Sequence, residues 1–150
     1  MGEMMRISSK SEYGVRALFD LAQHYGQGPV QSEEIATRQG IPPNYLNQML
    51  ISLRRAGLIE SQRGPQGGHM LARPPEQITL YDIVLVLEGP LARYEAGRED
   101  LTPTNPEDGE YVHAVWEALR NAIETTLQQI TLEDLCQRKR QRTGFNMYYI

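Results

Sequence analysis

The pattern of apolar and polar positions predicts three short helices at the start of the chain. Apolar residues recur every three or four positions between Tyr13 and Tyr25, which is the spacing of one helix face. Ser9 and Glu12 precede this stretch with the spacing of a capping box, so we expect Ser9 to be its N-cap. The second helix is predicted to begin at a Ser32 cap and to end at Gly40. The third is predicted to begin near Pro43 and to end at Gly57.

A hairpin is predicted directly after the third helix. Leu58–Arg63 and His69–Ala72 are short runs suited to strands, and the segment Gly64–Gly68 between them is rich in turn-forming residues. Three short helices followed by a hairpin are the order of elements in a winged helix-turn-helix, whose third helix enters the major groove of DNA. The sequence therefore predicts a mainly α fold with a small β-hairpin.

The second half of the chain carries further helical signals. Thr79 and Asp82 have the spacing of a capped helix start. Apolar residues at intervals of three and four then predict a long helix after Pro106 that continues to Ile130. Thr131 opens a last helical stretch, which passes through basic residues into a C-terminal tail.

Composition and charge exclude several classes of protein. The chain has 150 residues, 40% of them hydrophobic, which is enough for a core without disulfides or a metal. No apolar run is long enough to span a membrane and no secretory signal is visible, so we expect a cytoplasmic protein. No pairing of nucleophile and base, paired carboxylates or phosphate loop stands out, so we do not expect an enzyme.

The net charge of −4 is unevenly distributed. Residues 81–135 carry twelve acidic residues and three basic ones, whereas residues 136–150 carry four basic residues and no acidic one. DNA binding requires only that the face meeting the phosphates be basic. The acidic total therefore does not exclude a DNA-binding protein.

The third predicted helix has a polar face suited to reading bases. Asn and Gln side chains can each make two hydrogen bonds with adenine, and an Ile side chain can contact a thymine methyl group. Arg54 and Arg55 follow at the end of the helix, where they could bind phosphate. The alternative is an amphipathic helix whose polar face meets only water. The residues of this face are Asn44, Asn47, Gln48 and Ile51, opposite an apolar face of Leu46, Met49, Leu50 and Leu53.

The predicted hairpin carries an arginine beside several glycines. Arg63 stands at its base, and Gly64 allows close approach of the backbone to a ligand. An arginine on a thin tip suits a narrow minor groove, where negative potential is concentrated. The alternative is a solvated surface turn.

Several segments resemble the IscR/CymR family of bacterial transcription regulators, also called the Rrf family. The resemblance implies a homodimer of winged-helix domains that are joined by a long C-terminal dimerisation helix and bind a roughly palindromic operator. It implies a DNA-binding domain over 5–77, a dimerisation and sensing region over 78–150, and action as a repressor. The segments that carry it are Met5–Tyr13, Gly40–Gln48, Leu53–Leu58, Arg63–Gly68, Ile78–Ile83, Leu87–Pro90 and Ile130–Leu135.

The resemblance also assigns residues to DNA binding and dimerisation. This chain has Ser11 and Glu12 where many relatives carry Gly-Arg. The expected DNA-binding residues are Lys10, Asn44, Tyr45, Asn47, Gln48, Arg54, Arg55, Arg63 and Gly64. The expected dimerisation residues are Val112, Trp116, Leu119, Ile123 and Leu127.

The cysteine content bears on a metal cofactor. Members of this family that bind an iron–sulfur cluster carry three cysteines in the loop before the long helix, and residues 90–110 contain none. Cys136 lies well beyond that loop, and His113 alone, where a relative places a fourth ligand, cannot hold a cluster. We therefore predict no cofactor and no metal, and a passive role for Cys136.

The tail offers another signal. Asn146–Ile150 resembles the ending of the branch that represses cysteine metabolism, whose members form a complex with O-acetylserine sulfhydrylase. Ile150 offers an apolar side chain and a carboxylate, and with Tyr149 it is the predicted partner-binding site. One alternative is that these aromatic residues pack on the dimer core. Another is an interaction protein that binds the sulfhydrylase through its tail without reading DNA sequence.

Overall fold

The protein is described by a computed structural model that covers residues 9–89 and 105–148, with side chains as far as Thr143. The predicted mainly α fold with one small hairpin is confirmed. The elements in chain order are α1 (Ser9–Gln23), α2 (Ser32–Gln39), α3 (Pro43–Arg55), β1 (Ile59–Gln62), β2 (Gly68–Leu71), a short 3-10 helix (Pro75–Gln77), α4 (Leu80–Glu88), α5 (Pro106–Gln129) and α6 (Leu132–Tyr148).

Two predicted helix starts are confirmed in atomic detail. The Thr79 hydroxyl accepts a hydrogen bond from the Asp82 N–H, and the Asp82 carboxylate accepts one from the Thr79 N–H. Thr131 and Asp134 repeat the same pair of bonds at the start of α6. Each Thr-x-x-Asp sequence thus satisfies two backbone donors that the first turn of a helix leaves open.

Two other predicted caps are wrong. Ser9 and Ser32 both lie inside their helices instead of preceding them. Gln31 is the N-cap of α2, and its carbonyl accepts hydrogen bonds from the N–H groups of Glu34 and Ile35. Its side chain makes no cap bond and donates to the Pro65 carbonyl instead. The carboxylate of Glu12 accepts a hydrogen bond from Arg16 four residues later, at 2.7 Å, instead of closing a capping box.

One hydrophobic core joins the first half of the chain to the second. Helix α1 lies at its centre and packs against α2, α3, α4, α6 and β2. Backbone bonds between 78–80 and 130–132 hold the start of α4 beside the start of α6. The division at residue 77 stays a prediction. The buried members of this core cluster from beyond that position are Ile78, Ile83, Leu87, Leu132 and Cys136.

A buried carboxylate on α1 pairs with a partly exposed arginine on α2. The carboxylate of Asp20, only 1% exposed, accepts two hydrogen bonds from Arg38, both 2.9 Å long, and one from Gln39. Burial by itself would raise the pKa of Asp20. The hydrogen bonds from Arg38 and Gln39, with the charge of Arg38, outweigh it and leave the pKa below its ordinary value.

Helix α4 approaches α1 closely because one residue of α1 has no side chain. A Cβ atom on Gly14 would overlap Cδ1 of Leu87. One turn earlier, the buried Ser11 hydroxyl donates a hydrogen bond to Glu88 at 2.8 Å. Ser11 therefore has a structural role at the position where this chain departs from many relatives.

We expect the Asp20–Arg38 pair to contribute measurably to stability. Asp20→Asn removes the charge but nearly keeps the shape, and it should lower the free energy of unfolding at pH 7 by about 1–3 kcal/mol. Because the pKa of Asp20 is lower in the folded state, its contribution is present above about pH 4 and is lost as the pH falls through the folded-state value. Urea unfolding at several pH values measures both effects.

Glu34→Gln is the matched control. Glu34 approaches the same arginine at 3.7 Å, but on the surface, so its loss should cost less than about 1 kcal/mol. Equal losses of stability in the Asp20 and Glu34 variants, or an Asp20 effect that persists unchanged at low pH, would contradict this account.

Candidate nucleic-acid interface

Helix α3 divides into a buried face and an exposed face, as its sequence predicts. It begins at Pro43, which lacks only an N–H that has no partner in a first helical turn. Leu46, Met49 and Leu53 are completely buried, and Leu50 nearly so. Asn44, Asn47, Gln48 and Ile51 are all exposed. The docked apolar face thus directs the predicted base-reading residues outward.

An aromatic contact braces the start of α3. The ring of Tyr45 meets the ring of Tyr13 edge to face, with centroids 5.8 Å apart. The guanidinium of Arg16 lies over the Tyr13 ring at 5.6 Å. Lys10 is half-buried in the first turn of α1, three residues before Tyr13, and so shares the side of α1 that reaches α3.

The hairpin is held in place by the connection between α1 and α2. Val30 and His69 exchange two backbone hydrogen bonds, each 2.8 Å long. Gly68 lies against the Val30 carbonyl so closely that a Cβ atom would clash with it. At the turn, Gln31 donates a side-chain hydrogen bond to the carbonyl of Pro65. This hairpin, residues 59–71, is the wing of the fold and therefore has a fixed position relative to the helices.

The tip of the wing is a tight, exposed turn. Its two strands pair in register from Ile59 with Leu71 to Gln62 with Gly68. Gly64 has φ of +105°, a conformation that favours glycine, and its carbonyl accepts a hydrogen bond from Gly67. Arg63 directly follows β1, so it lies at this turn and not at the predicted position at the base of the hairpin. Its side chain is exposed there, as a minor-groove contact requires.

A groove of about 220 Å³ runs between α3 and the hairpin. Ser61 and His69 line its hairpin side and are cross-strand partners. The sequence reasoning missed both, since only the register of the hairpin shows that they adjoin α3. On its helix side the groove is lined by Asn47, Leu50, Ile51 and Arg54. Arg54 and Arg55 are exposed in the last turn of α3.

Helix α5 presents a stripe of large apolar side chains to solvent. Val112, Trp116 and Leu119, three of the predicted dimerisation residues, are exposed, and Ile123 is partly buried. Leu127 differs, since it is buried within the protomer at 9% exposure. Two further exposed residues that the dimerisation prediction did not include are Tyr111 and Val115.

The one cysteine of the sequence lies in the core. Cys136 is 3% exposed in the core, and its burial, followed by the charge of Glu133, raises its pKa and favours the inert thiol. The burial agrees with a passive role for Cys136, which stays a prediction. His113 is exposed and lies 3.4 Å from Glu117 on the same helix. Among the described residues, no three His, Cys, Asp or Glu side chains group in a way that could hold a metal ion.

The C-terminal segment continues the last helix. Helix α6 runs to Tyr148, so the backbone that the sequence indicated as a tail after Thr143 is helical. Tyr149 and Ile150 lie outside the described residues, as does the 90–104 part of the predicted loop. Within the described part of the chain, no helix has the length and hydropathy to cross a membrane.

Comparisons with known proteins agree with this geometry. The profile of the Rrf2 family, described as iron-dependent transcriptional regulators, matches residues 7–138. The HTH-type transcriptional regulator CymR of Bacillus subtilis (strain 168) is 37% identical over 146 residues, which cover 97% of this chain and 100% of that protein.

Solved structures show the same fold. IscR of T. potens superposes with a TM-score of 0.74 at 42% identity, covering 90% of this chain and 88% of that one. CymR, described as the global cysteine regulator of B. subtilis, superposes with a TM-score of 0.72 at 34% identity, covering 90% and 98%. The chain belongs to the Rrf2 family and is a DNA-binding transcription regulator with a winged-helix fold.

Proposed function

We propose that this regulator is a homodimeric repressor that reads a palindromic operator with α3 and the wing. The observation that carries the proposal is the exposed polar face of α3 beside a wing that backbone hydrogen bonds hold in place. In this arrangement α3 enters the major groove and Arg63 enters the adjacent minor groove. Lys10, Tyr45, Arg54, Arg55 and Gly64 contact the DNA around them.

Substitutions at Asn47 and Arg63 should have different effects on DNA binding. Asn47→Ala removes a contact to one base edge, so it should cost about 1–3 kcal/mol and relax sequence preference at one position per half-site. Arg63→Ala should weaken binding most where the minor groove is narrow. Selection of bound duplexes from a random pool, followed by titration of the selected sites, measures both effects.

Arg142→Ala is the control for these variants, because it removes a positive charge from an exposed site on α6. Its affinity and sequence preference should match those of the wild-type protein. If the Asn47 and Arg63 variants lost affinity equally for operator and random DNA, neither residue would read sequence.

The dimer forms through the apolar stripe of α5. Exposed large apolar side chains on one helix are costly in water, and a second copy of the helix would cover them. A twofold-symmetric dimer presents two recognition helices to two half-sites, which explains why a palindromic operator is expected. Leu127 supports the protomer, while Val112, Trp116, Leu119 and Ile123 meet the partner.

A charge placed in this stripe should separate the protomers. Leu119→Glu should shift sedimentation to the monomer and weaken operator binding at least tenfold, because one half-site alone remains bound. Tyr25→Glu is the matched control, since Tyr25 is equally exposed but lies after α1 and outside the stripe. A monomeric, folded Leu119 variant with undiminished operator affinity would show that dimerisation is not needed.

The signal sensed by this regulator does not involve a cysteine-ligated cluster. The sequence has one cysteine, and its thiol is buried in the core. An iron–sulfur cluster held by three or more cysteine thiolates therefore has no matching set of ligands in this sequence. The purified protein should be colourless when prepared without oxygen. Visible iron–sulfur absorption together with stoichiometric iron would overturn this expectation.

We also propose that the regulated genes serve cysteine or sulfur metabolism and that the protein acts in the cytoplasm without enzymatic activity. The support is the likeness to CymR, described as a global cysteine regulator. Binding of O-acetylserine sulfhydrylase through Tyr149 and Ile150 stays a prediction, as does the alternative of an interaction protein without sequence-specific DNA binding. Mapping of the bound genomic sites tests the choice of genes.

A further inference from the structure

The groove between α3 and the hairpin contains a histidine, His69, of which one ring nitrogen is hydrogen-bonded within the protein. His69 Nδ1 and the Ser61 hydroxyl are 2.8 Å apart across the hairpin. The Nε2 atom makes no hydrogen bond within the part of the chain that the structure describes. Because Ser61 fixes the ring and His69 lines the groove, a ligand in the groove can meet the second nitrogen.

The surroundings of His69 disfavour its charged form. Burial is the largest effect and lowers the pKa of His69, and the positive charge of Arg54 on α3 lowers it further. Glu33 on α2 acts in the opposite direction. Ser61 and the Val30 backbone, which bond to His69, are uncharged. The other residues that line the groove with it, Asn47, Leu50 and Ile51, are uncharged as well. The surroundings of His69 in the free protein therefore favour the neutral imidazole.

The position of the groove determines which part of the DNA it faces. One sugar–phosphate strand separates a major groove from the adjacent minor groove. If α3 lies in the first and Arg63 in the second, the surface between them faces that strand. The groove with Arg54, Ser61 and His69 is this surface.

We propose that His69 and Arg54 together bind a phosphate of the DNA backbone, and that operator binding is accompanied by uptake of a proton at His69. The proposal rests on the DNA interface proposed above and adds a binding residue and a proton linkage to it. The proton comes from solvent and joins a ring nitrogen, with no covalent step.

Protonation fits the contacts that the ring already has. Both nitrogens of an imidazolium are donors, and a serine hydroxyl can accept as well as donate. The Ser61 bond can therefore remain while Nε2–H donates to a phosphate oxygen. The charge of the phosphate favours the imidazolium and offsets the burial and the Arg54 repulsion that oppose it in the free protein.

Calorimetric titration of the wild-type dimer with an operator duplex tests the linkage. Titrations in two buffers of different ionisation enthalpy report the number of protons taken up. We expect net uptake near neutral pH and an affinity that rises from pH 8 to pH 6, by up to about tenfold per pH unit for each His69 that is protonated.

Two variants identify the residue responsible. His69→Gln should remove the uptake and flatten the pH dependence while still binding the operator, more weakly than the wild type at pH 6. His113→Gln is the matched control, because His113 is exposed on α5, and it should behave like the wild type. Circular dichroism verifies that both variants are folded.

A modified DNA tests the phosphate without changing the protein. Replacing backbone phosphates one at a time by neutral methylphosphonates should abolish proton uptake at one position per half-site, between the bases read by α3 and the narrow minor groove. This result is available even if His69→Gln fails to fold.

The outcomes separate the two proposals. Sequence-specific binding with no proton uptake overturns the phosphate site and leaves the DNA interface standing. Uptake that persists unchanged in folded His69→Gln also overturns it. Absence of operator binding at every pH contradicts the interface and the phosphate site together.

Discussion

The packing of the first helices depends on the buried carboxylate of Asp20. It is buried, charged and held by Arg38 and Gln39, so it connects the middle of α1 to the end of α2 in one geometry. A buried carboxylate that lost these partners would be strongly destabilising. Because α1 also contacts α3, α4 and α6, the bonds at Asp20 help to hold the proposed DNA-binding surface in place relative to the rest of the protein.

Helix α4 connects α1 to the second half of the chain. Gly14 lets Leu87 approach the α1 backbone, and Ser11 bonds to Glu88 at the end of α4. The start of α4 is fixed in turn to the start of α6 by backbone bonds around Thr79 and Thr131. Both ends of α4 are thus anchored. A displacement of α4 relative to α1 would disturb the Ser11–Glu88 contact at one end and the Thr79–Thr131 contact at the other.

Local chemistry made some features predictable from sequence. The two Thr-x-x-Asp starts were identified correctly because each needs only residues three apart. The two faces of α3 were predicted because helix periodicity fixes which residues are opposite each other. The capping-box spacing of Ser9 and Glu12 led to a wrong prediction, since Glu12 instead pairs with Arg16 in the next turn.

Features that depend on distant parts of the chain were not predictable in this way. Leu127 follows the same periodicity as Leu119, yet it is covered within the protomer and Leu119 is exposed. Periodicity identifies an apolar face but not the neighbour that covers it. The groove was missed for a similar reason, since Ser61 and His69 meet only in the register that the turn imposes on the hairpin.

The two backbone bonds between Val30 and His69 have a consequence for how a half-site can vary. They restrain the hairpin, so the distance between α3 and Arg63 is fixed. One base pair inserted between the two contacted sites would displace one of them by about 3.4 Å and also rotate it around the helix axis. Because α3 and the hairpin are held rigidly, they cannot adjust to that change without losing one of the two contacts. In the proposed complex, the spacing inside each half-site would therefore be part of the recognised sequence, including base pairs that no side chain touches.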